Sequence, residues 1–166
     1  MGGLWWDEFT VDGRWRTGER VVTAGDIDAF SALSGDVNPL HRDDAYARAA
    51  GYRGRIAQGV LGTAVATGLV NRLGVTAGTL VALVGVAWRF EEPLYPGTRV
   101  HVELSVGSVR PTRQPERGIV VLEAALSDDA GTIHQRGELT MLVRTRPAGP
   151  EGPFVAGRSQ DHGVQT

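Results

Sequence analysis

The stretch from Gly59 to Leu73 constrains this chain more than any other. It carries Val60, Leu61, Ala64, Val65, Ala66, Leu69 and Val70, so a helix here is apolar on most sides. Such a helix is not a surface helix; it predicts a partner wrapped around it. At ~1.5 Å per residue it is roughly 20 Å long. The uncharged runs from Arg55 to Arg72 and from Arg72 to Arg89 each hold sixteen residues. A bilayer span needs about 18–20, so these are segments of a folded core and no membrane partner is expected.

The rest of the chain supplies the wrapping. Leu80 to Phe90 is a near-continuous apolar run, which predicts a strand covered on both faces. Val100, Val102, Leu104 and Val106 alternate with Arg99, His101, Glu103 and Ser105, the period of a half-buried strand. Gly118 to Leu126 and Ile133 to Val143 follow as further strands. Pro96-Gly97 and Asp128 to Gly131 mark turns, and Arg110 to Arg117 a longer hairpin tip.

Upstream, Arg14 to Val22 reads as a strand. Thr23 and Asp26 form a capping box for a helix whose buried stripe is Ile27, Phe30 and Leu33, with Gly35 as its stop. Asp43 or Asp44 caps a short helix through Ala50. Trp5 and Trp6 are expected to anchor the N-terminal arm, since two exposed tryptophans are costly.

This order predicts an α+β fold, a curved antiparallel sheet around one long buried helix. That is the hotdog architecture, although other α+β folds share the order. Residues 1–146 are expected to form one domain. Residues 147–166 hold seven Pro or Gly among twenty and predict a disordered or loosely attached tail.

Charge and composition narrow the function. Seventeen basic residues stand against nineteen acidic ones, a formal charge of −2. No overall field favours nucleic acid, and none is expected as a partner. The chain has no cysteine, which removes thiolate nucleophiles, disulfides and cysteine-ligated metals, and fits a reducing cytoplasm. Residues 1–20 carry Asp7, Glu8 and Arg14 without an apolar run, unlike a secretory signal. A cytoplasmic location is therefore expected.

Chemistry concentrates in Ser34-Gly35-Asp36-Val37-Asn38-Pro39-Leu40-His41-Arg42-Asp43. A carboxylate and an imidazole stand five residues apart in a loop just past a helix. Pro39 fixes its own φ and pushes Asn38 into an extended conformation, stiffening the loop between them. Asp and His together can hold one water and move its proton. Taken alone, the pair is more readily a turn-capping aspartate and a surface histidine. Asp36, His41, Asp43 and Asp44 are also potential metal ligands, but no second histidine follows at helical spacing, and no metal is expected.

Residues 21–61 resemble the MaoC-like dehydratases, the (R)-specific enoyl-CoA hydratases. The resemblance rests on Thr23, Asp26-Ile27, Phe30, Leu33 to His41, and Gly54-Arg55-Ile56-Ala57-Gln58-Gly59-Val60-Leu61. It continues more loosely through Trp88-Arg89-Phe90, Pro93, Pro96-Gly97 and Arg110 to Gly118. It implies a hotdog fold, a homodimer, and an acyl thioester of coenzyme A or of a carrier protein as substrate. It implies catalytic roles for Asp36 and His41, and a backbone N–H at Gly59 donated to the thioester oxygen. The implied reaction is reversible hydration of a trans-2-enoyl thioester to the (R)-3-hydroxyacyl thioester, without a cofactor. Two alternatives stay open: a hotdog thioesterase, and a non-catalytic subunit that binds acyl thioesters.

One residue departs from the family, which commonly has His where this chain has Gln58. Asn38 and Gln58 are expected on the substrate side. Thr67 either bonds a helical carbonyl or lines the pocket. His101 and His134 alternate with apolar residues and are expected to face solvent. Arg110, Arg113 and Arg117 read either as a solvated hairpin tip or as a contact for carrier phosphates.

Overall fold

The computed structural model describes residues 2–147, so most of the expected tail lies outside the described residues. The elements in chain order are β1 (Arg14–Arg16), β2 (Arg20–Val21), α1 (Ala24–Ser34), α2 (Pro39–Arg42), α3 (Asp44–Ala49), α4 (Gly59–Leu73), β3 (Leu80–Phe90), β4 (Arg99–Pro111), β5 (Arg117–Asp128) and β6 (Ile133–Arg144). The strands form one six-stranded antiparallel sheet in the order β1-β4-β5-β6-β3, with β2 also on β4.

The long strands bury alternate residues, as the period-2 pattern requires. Val100, Val102, Leu104 and Val106 of β4 meet Val120, Leu122, Ala124 and Leu126 of β5 in one core. Leu139, Met141 and Val143 of β6 extend it, and Leu61, Val65, Ala66 and Leu69 of α4 pack into it. This is the expected hotdog arrangement. At ~25 cal/mol per Å² of apolar surface, each fully buried Val or Leu contributes about 1.5–3 kcal/mol.

Several expectations need correction. The strand expected over Arg14 to Val22 is two short ones. The break is at Thr17, whose N–H and Oγ1 both bond Val102 of β4. Leu33 is 84% exposed, and Ser31 takes the buried place in α1 beside Ile27. The reason is that Ser31 completes the i, i+4 stripe from Ile27, facing Gln58. Helix α4 is not covered all round: Val60, Ala64 and Asn71 leave one stripe open.

Strand β3 departs most. Leu80, Val81, Leu83, Val84, Val86 and Phe90 are exposed rather than covered on both faces. The strand is an edge, and among the described residues nothing pairs with its far side.

Both strand histidines are buried instead of solvent-facing. His101 Nδ1 accepts from Arg16 Nη2 at 3.4 Å, because β1 lies alongside and brings Arg16 to the ring. His134 lies between Pro93 O, 3.1 Å from Nδ1, and Asp128 Oδ2, 3.3 Å from Nε2. Both neighbours only accept hydrogen bonds, so only the doubly protonated ring donates to both.

The N-terminal arm is anchored, as expected. Gly3 and Leu4 donate backbone N–H bonds to Ala77 and Val75. Trp6 packs against the core at Gly118, and Trp5 lies under the Arg146 guanidinium.

Candidate active site

Helix α1 is started by the expected box. Thr23 Oγ1 accepts from Asp26 N–H, and Asp26 Oδ2 accepts from Thr23 N–H. The Thr23 backbone and hydroxyl and the Arg20 guanidinium hold the Asp26 carboxyl below its ordinary value, against the effect of burial. Gly35 stops the helix at φ 75°, the left-handed region that glycine enters without strain.

The loop that follows is ordered by its own short side chains. Ser34 Oγ accepts from Asp36 N–H at 3.2 Å, and Asp36 Oδ1 accepts from Asn38 N–H at 3.3 Å. Asn38 Oδ1 accepts from Leu40 N–H at 3.0 Å, which caps α2, and Pro39 occupies its first turn. Asn38 thus stands between the two ionisable groups as the cap of the helix that carries His41.

His41 and Asp36 come together. Nε2 of His41 lies 3.6 Å from Asp36 Oδ2, with 12% of the histidine side chain exposed against 46% of the aspartate. Nδ1 lies 2.9 Å from Ile56 O. A carbonyl only accepts, so Nδ1 carries the proton and the neutral ring turns its Nε2 lone pair toward the carboxylate. Two acceptors 3.6 Å apart make no direct hydrogen bond. A water donating one hydrogen to each fits that arrangement.

Ile56 connects this pair to α4. Its carbonyl receives His41, its N–H donates to Leu40 O, and Gly59 opens the helix three residues on. The N–H groups of a helix's first turn have no intrahelical acceptor and lie at its positive end. Gln58, the N-cap, makes no side-chain cap there. A Cβ on Gly59 would stand 2.9–3.1 Å from the ring of Phe90, so the close approach of β3 requires glycine.

Gln58 is 2% exposed and turns toward α1. Its Nε2 donates to Ser31 Oγ at 2.8 Å and Ile27 O at 3.4 Å, and its Oε1 is buried without a partner. Thr67 Oγ1 donates to Ala64 O at 2.9 Å, the helical-carbonyl alternative.

Sequence reasoning missed Gln135. Buried on β6, it donates from Nε2 to Gly59 O at 3.0 Å and accepts at Oε1 from Trp88 Nε1 at 2.7 Å. It ties the first turn of α4 to two strands. The local signal is Gly62, where a Cβ would sit 2.1 Å from Gln135 Nε2, but a glycine in a helix does not name its neighbour.

Arg110, Arg113 and Arg117 are at the other end of the sheet. Pro111 pairs with Gly118, whereas Val102 pairs with Leu126 and Leu126 with Gln135 near Gly59. At ~3.3 Å per residue the hairpin tip is roughly 30 Å from the site in the same chain. Among the described residues no three His, Asp or Glu side chains are grouped to hold a metal. No helix among them is long and apolar enough to cross a membrane.

Comparison with known proteins gives this geometry its context. The (R)-specific enoyl-CoA hydratase of Aeromonas caviae is 29% identical over 120 residues, 72% of this chain and 85% of the relative. The crystal structure of the MaoC-like dehydratase from Rhodospirillum rubrum superposes with a TM-score of 0.77 at 27% identity, covering 88% of this chain and 100% of that one. A Mycobacterium tuberculosis protein with a double hotdog fold superposes at 0.78 and 18% identity, covering 91% of this chain and 47% of that one, a likeness of fold alone. The family model for the MaoC like domain matches residues 10–127. With that match across most of the folded core, and with a hotdog sheet around α4, the chain belongs to the MaoC-like domain family.

Proposed function

We propose that this protein is a hydratase acting on enoyl thioesters, adding water reversibly across a trans-2 double bond to give the (R)-3-hydroxyacyl thioester. The observation that carries the reading is the pairing of Asp36 and His41 across 3.6 Å, on a loop whose histidine is bonded to the segment opening α4. The A. caviae relative, an (R)-specific enoyl-CoA hydratase, and the R. rubrum MaoC-like dehydratase support it by their names.

The chemistry follows from that arrangement. Water held by Asp36 and His41 adds its oxygen to C3, the pair takes up its proton, and a proton is returned to C2. The addition is redox-neutral, so the pair ends as it began. Negative charge develops on the thioester oxygen as C3–O forms, and the Gly59 N–H at the positive end of α4 stabilises it. Asn38 holds the loop in place, and Gln58 packs α4 onto α1.

The same reading includes a homodimer. The six exposed apolar residues of β3 lie on an unpaired edge, which natural proteins seldom leave open. A second copy pairing along β3 would cover them and enclose the site beside Phe90 and Val60. Light scattering should give twice the chain mass, and Val84→Arg should give a monomer. A monomeric wild type at working concentration contradicts the dimer.

The test of the function is a panel of enoyl and 3-hydroxyacyl thioesters of varied chain length, followed at the absorbance of the conjugated enoyl group. Hydration should appear with the enoyl members and dehydration with the (R)-3-hydroxyacyl members alone. Release of free thiol without loss of the double bond would identify a thioesterase. Silence toward the whole panel would leave a binding subunit.

A further inference from the structure

A polar cleft is lined by Arg48, Arg53, Arg55, Tyr95, Thr98 and Asp44. Its charges are unevenly matched. Arg55 is paired with Asp28 at 2.8 Å, and its backbone N–H occupies Asp44 Oδ1. Among the described residues, Arg48 and Arg53 form no ion pair with any carboxylate. The Arg53 guanidinium lies 4.2 Å from the centroid of the Tyr95 ring, and Tyr95 Oη accepts the Arg53 backbone N–H at 3.3 Å. A guanidinium stacked in this way is held flat with its N–H fork free, the geometry that suits a phosphate. A chain of net charge −2 therefore presents three arginines against Asp44 and Asp28 in and beside one cleft, a local positive excess.

The position of the cleft selects the ligand. Arg53 is three residues before Ile56, whose carbonyl holds His41. An extended segment of that length spans at most ~10 Å. With the reacting carbons at Asp36 and His41 and the Arg53 side chain reaching out from that segment, the cleft is within the span of a pantetheine arm, so it suits an anion at the carrier end of the same substrate. We propose that Arg48 and Arg53 bind a phosphate at the carrier end of the thioester, whether that carrier is coenzyme A or a phosphopantetheinylated protein. The proposal rests on the hydratase reading for the identity of the substrate, and it makes the cleft a specificity site that neither proton transfer nor oxyanion stabilisation requires.

The test compares wild type with the Arg48→Ala, Arg53→Ala double variant on one acyl group carried three ways: on coenzyme A, on phosphopantetheine, and on pantetheine without phosphate. The variant should raise KM for coenzyme A thioester about tenfold with kcat kept. It should lower the preference for coenzyme A over pantetheine by the same factor. An equal loss on phosphopantetheine assigns the contact to the phosphate on the arm; a loss on coenzyme A alone assigns it to the nucleotide phosphates. Arg113→Ala, at the remote hairpin tip, should leave the preference unchanged. If the alanine pair does not fold, Arg48→Gln with Arg53→Gln takes its place.

Calorimetric titration with coenzyme A itself separates this proposal from the hydratase reading, because it needs no turnover. Binding by wild type that weakens in the double variant supports the cleft even where no hydration is seen. An unchanged preference and unchanged coenzyme A affinity in the double variant overturn the proposal even if hydration is seen. So does a loss in Arg113→Ala as large as in the pair.

Discussion

The loop of residues 36–41 and the first turn of α4 flank one site but are held in opposite ways. The loop is mostly exposed, and most of its bonds join residues two to four apart: Ser34 to Phe30, Asp36 to Ser34, Asn38 to Asp36, Leu40 to Asn38; only its end, at Leu40 and His41, is tied across the chain to Ile56. The helix start is buried and held across the chain. Gln58 reaches Ser31, Gly59 O is bonded by Gln135, and Ala57 donates to Leu94 O. Local bonds place proton-moving groups where water reaches them, at little cost to the fold. Long-range buried bonds fix a backbone N–H whose position must not drift. Activity and stability should therefore separate on one side of the site and move together on the other.

The strongest break of this contrast is made at the loop. Asp36→Asn or His41→Ala should lower kcat by roughly 10²–10⁴, the usual range for acid–base groups; the melting temperature should be unchanged in Asp36→Asn and lowered slightly in His41→Ala, which also frees Ile56 O. Near-normal turnover in folded Asp36→Asn protein would sink the mechanism.

At the helix start, Gln135→Ala removes the acceptor of half-buried Trp88 Nε1 and the donor to Gly59 O. The cost should be about 1–3 kcal/mol, the range for leaving a buried polar group unpaired. Denaturant titration and kcat should fall together; a stability loss with unaltered turnover would detach Gln135 from the site. Gly62→Ala should behave alike by pressing on the same amide.

A smaller effect is expected at Gln58. Its side chain faces Ser31 and Ile27, so Gln58→His should keep kcat within about tenfold, roughly 1.4 kcal/mol, and act chiefly on KM or acyl preference. Kinetics on short and medium enoyl thioesters check this. A loss of several orders of magnitude with normal folding would bring Gln58 into the chemistry.

The smallest effect concerns the buried side alone. Burial raises the Asp128 carboxyl, but the Thr132 and Ala130 N–H groups and the His134 ring outweigh it and leave it below its ordinary value. A depressed carboxylate stabilises the fold above its unfolded pKa and loses that stability as pH falls through the folded value. Asp128→Asn should therefore cost about 1 kcal/mol or less at neutral pH, a few degrees of melting temperature, and nothing in acid. Melting curves from pH 7 to pH 3 give the difference. A gap that widens in acid would reverse the sign and remove Asp128 from the contacts that support Pro93.

How far these regions were legible follows from the range of their bonds. The capping box at Thr23, the stop at Gly35 and the Asp36-to-His41 loop are made by neighbours in the chain, and residue types at fixed spacing announce them. The alternation in β4 is equally plain, because the pleat turns every second side chain to the core. Pattern could not say that His101 and His134 lie buried, since that depends on Arg16 arriving from β1 and Pro93 from beyond β3.

The amino-acid sequence by itself determined the elements, the buried helix and the residue types of the acid–base loop, all through contacts a few residues long. Tertiary structure decided that β3 is an open edge, that Gln135 holds Gly59, and that Arg48 and Arg53 share a cleft with Tyr95. Those facts depend on which distant segments meet, and that is set by packing the whole core at once, which no local pattern encodes.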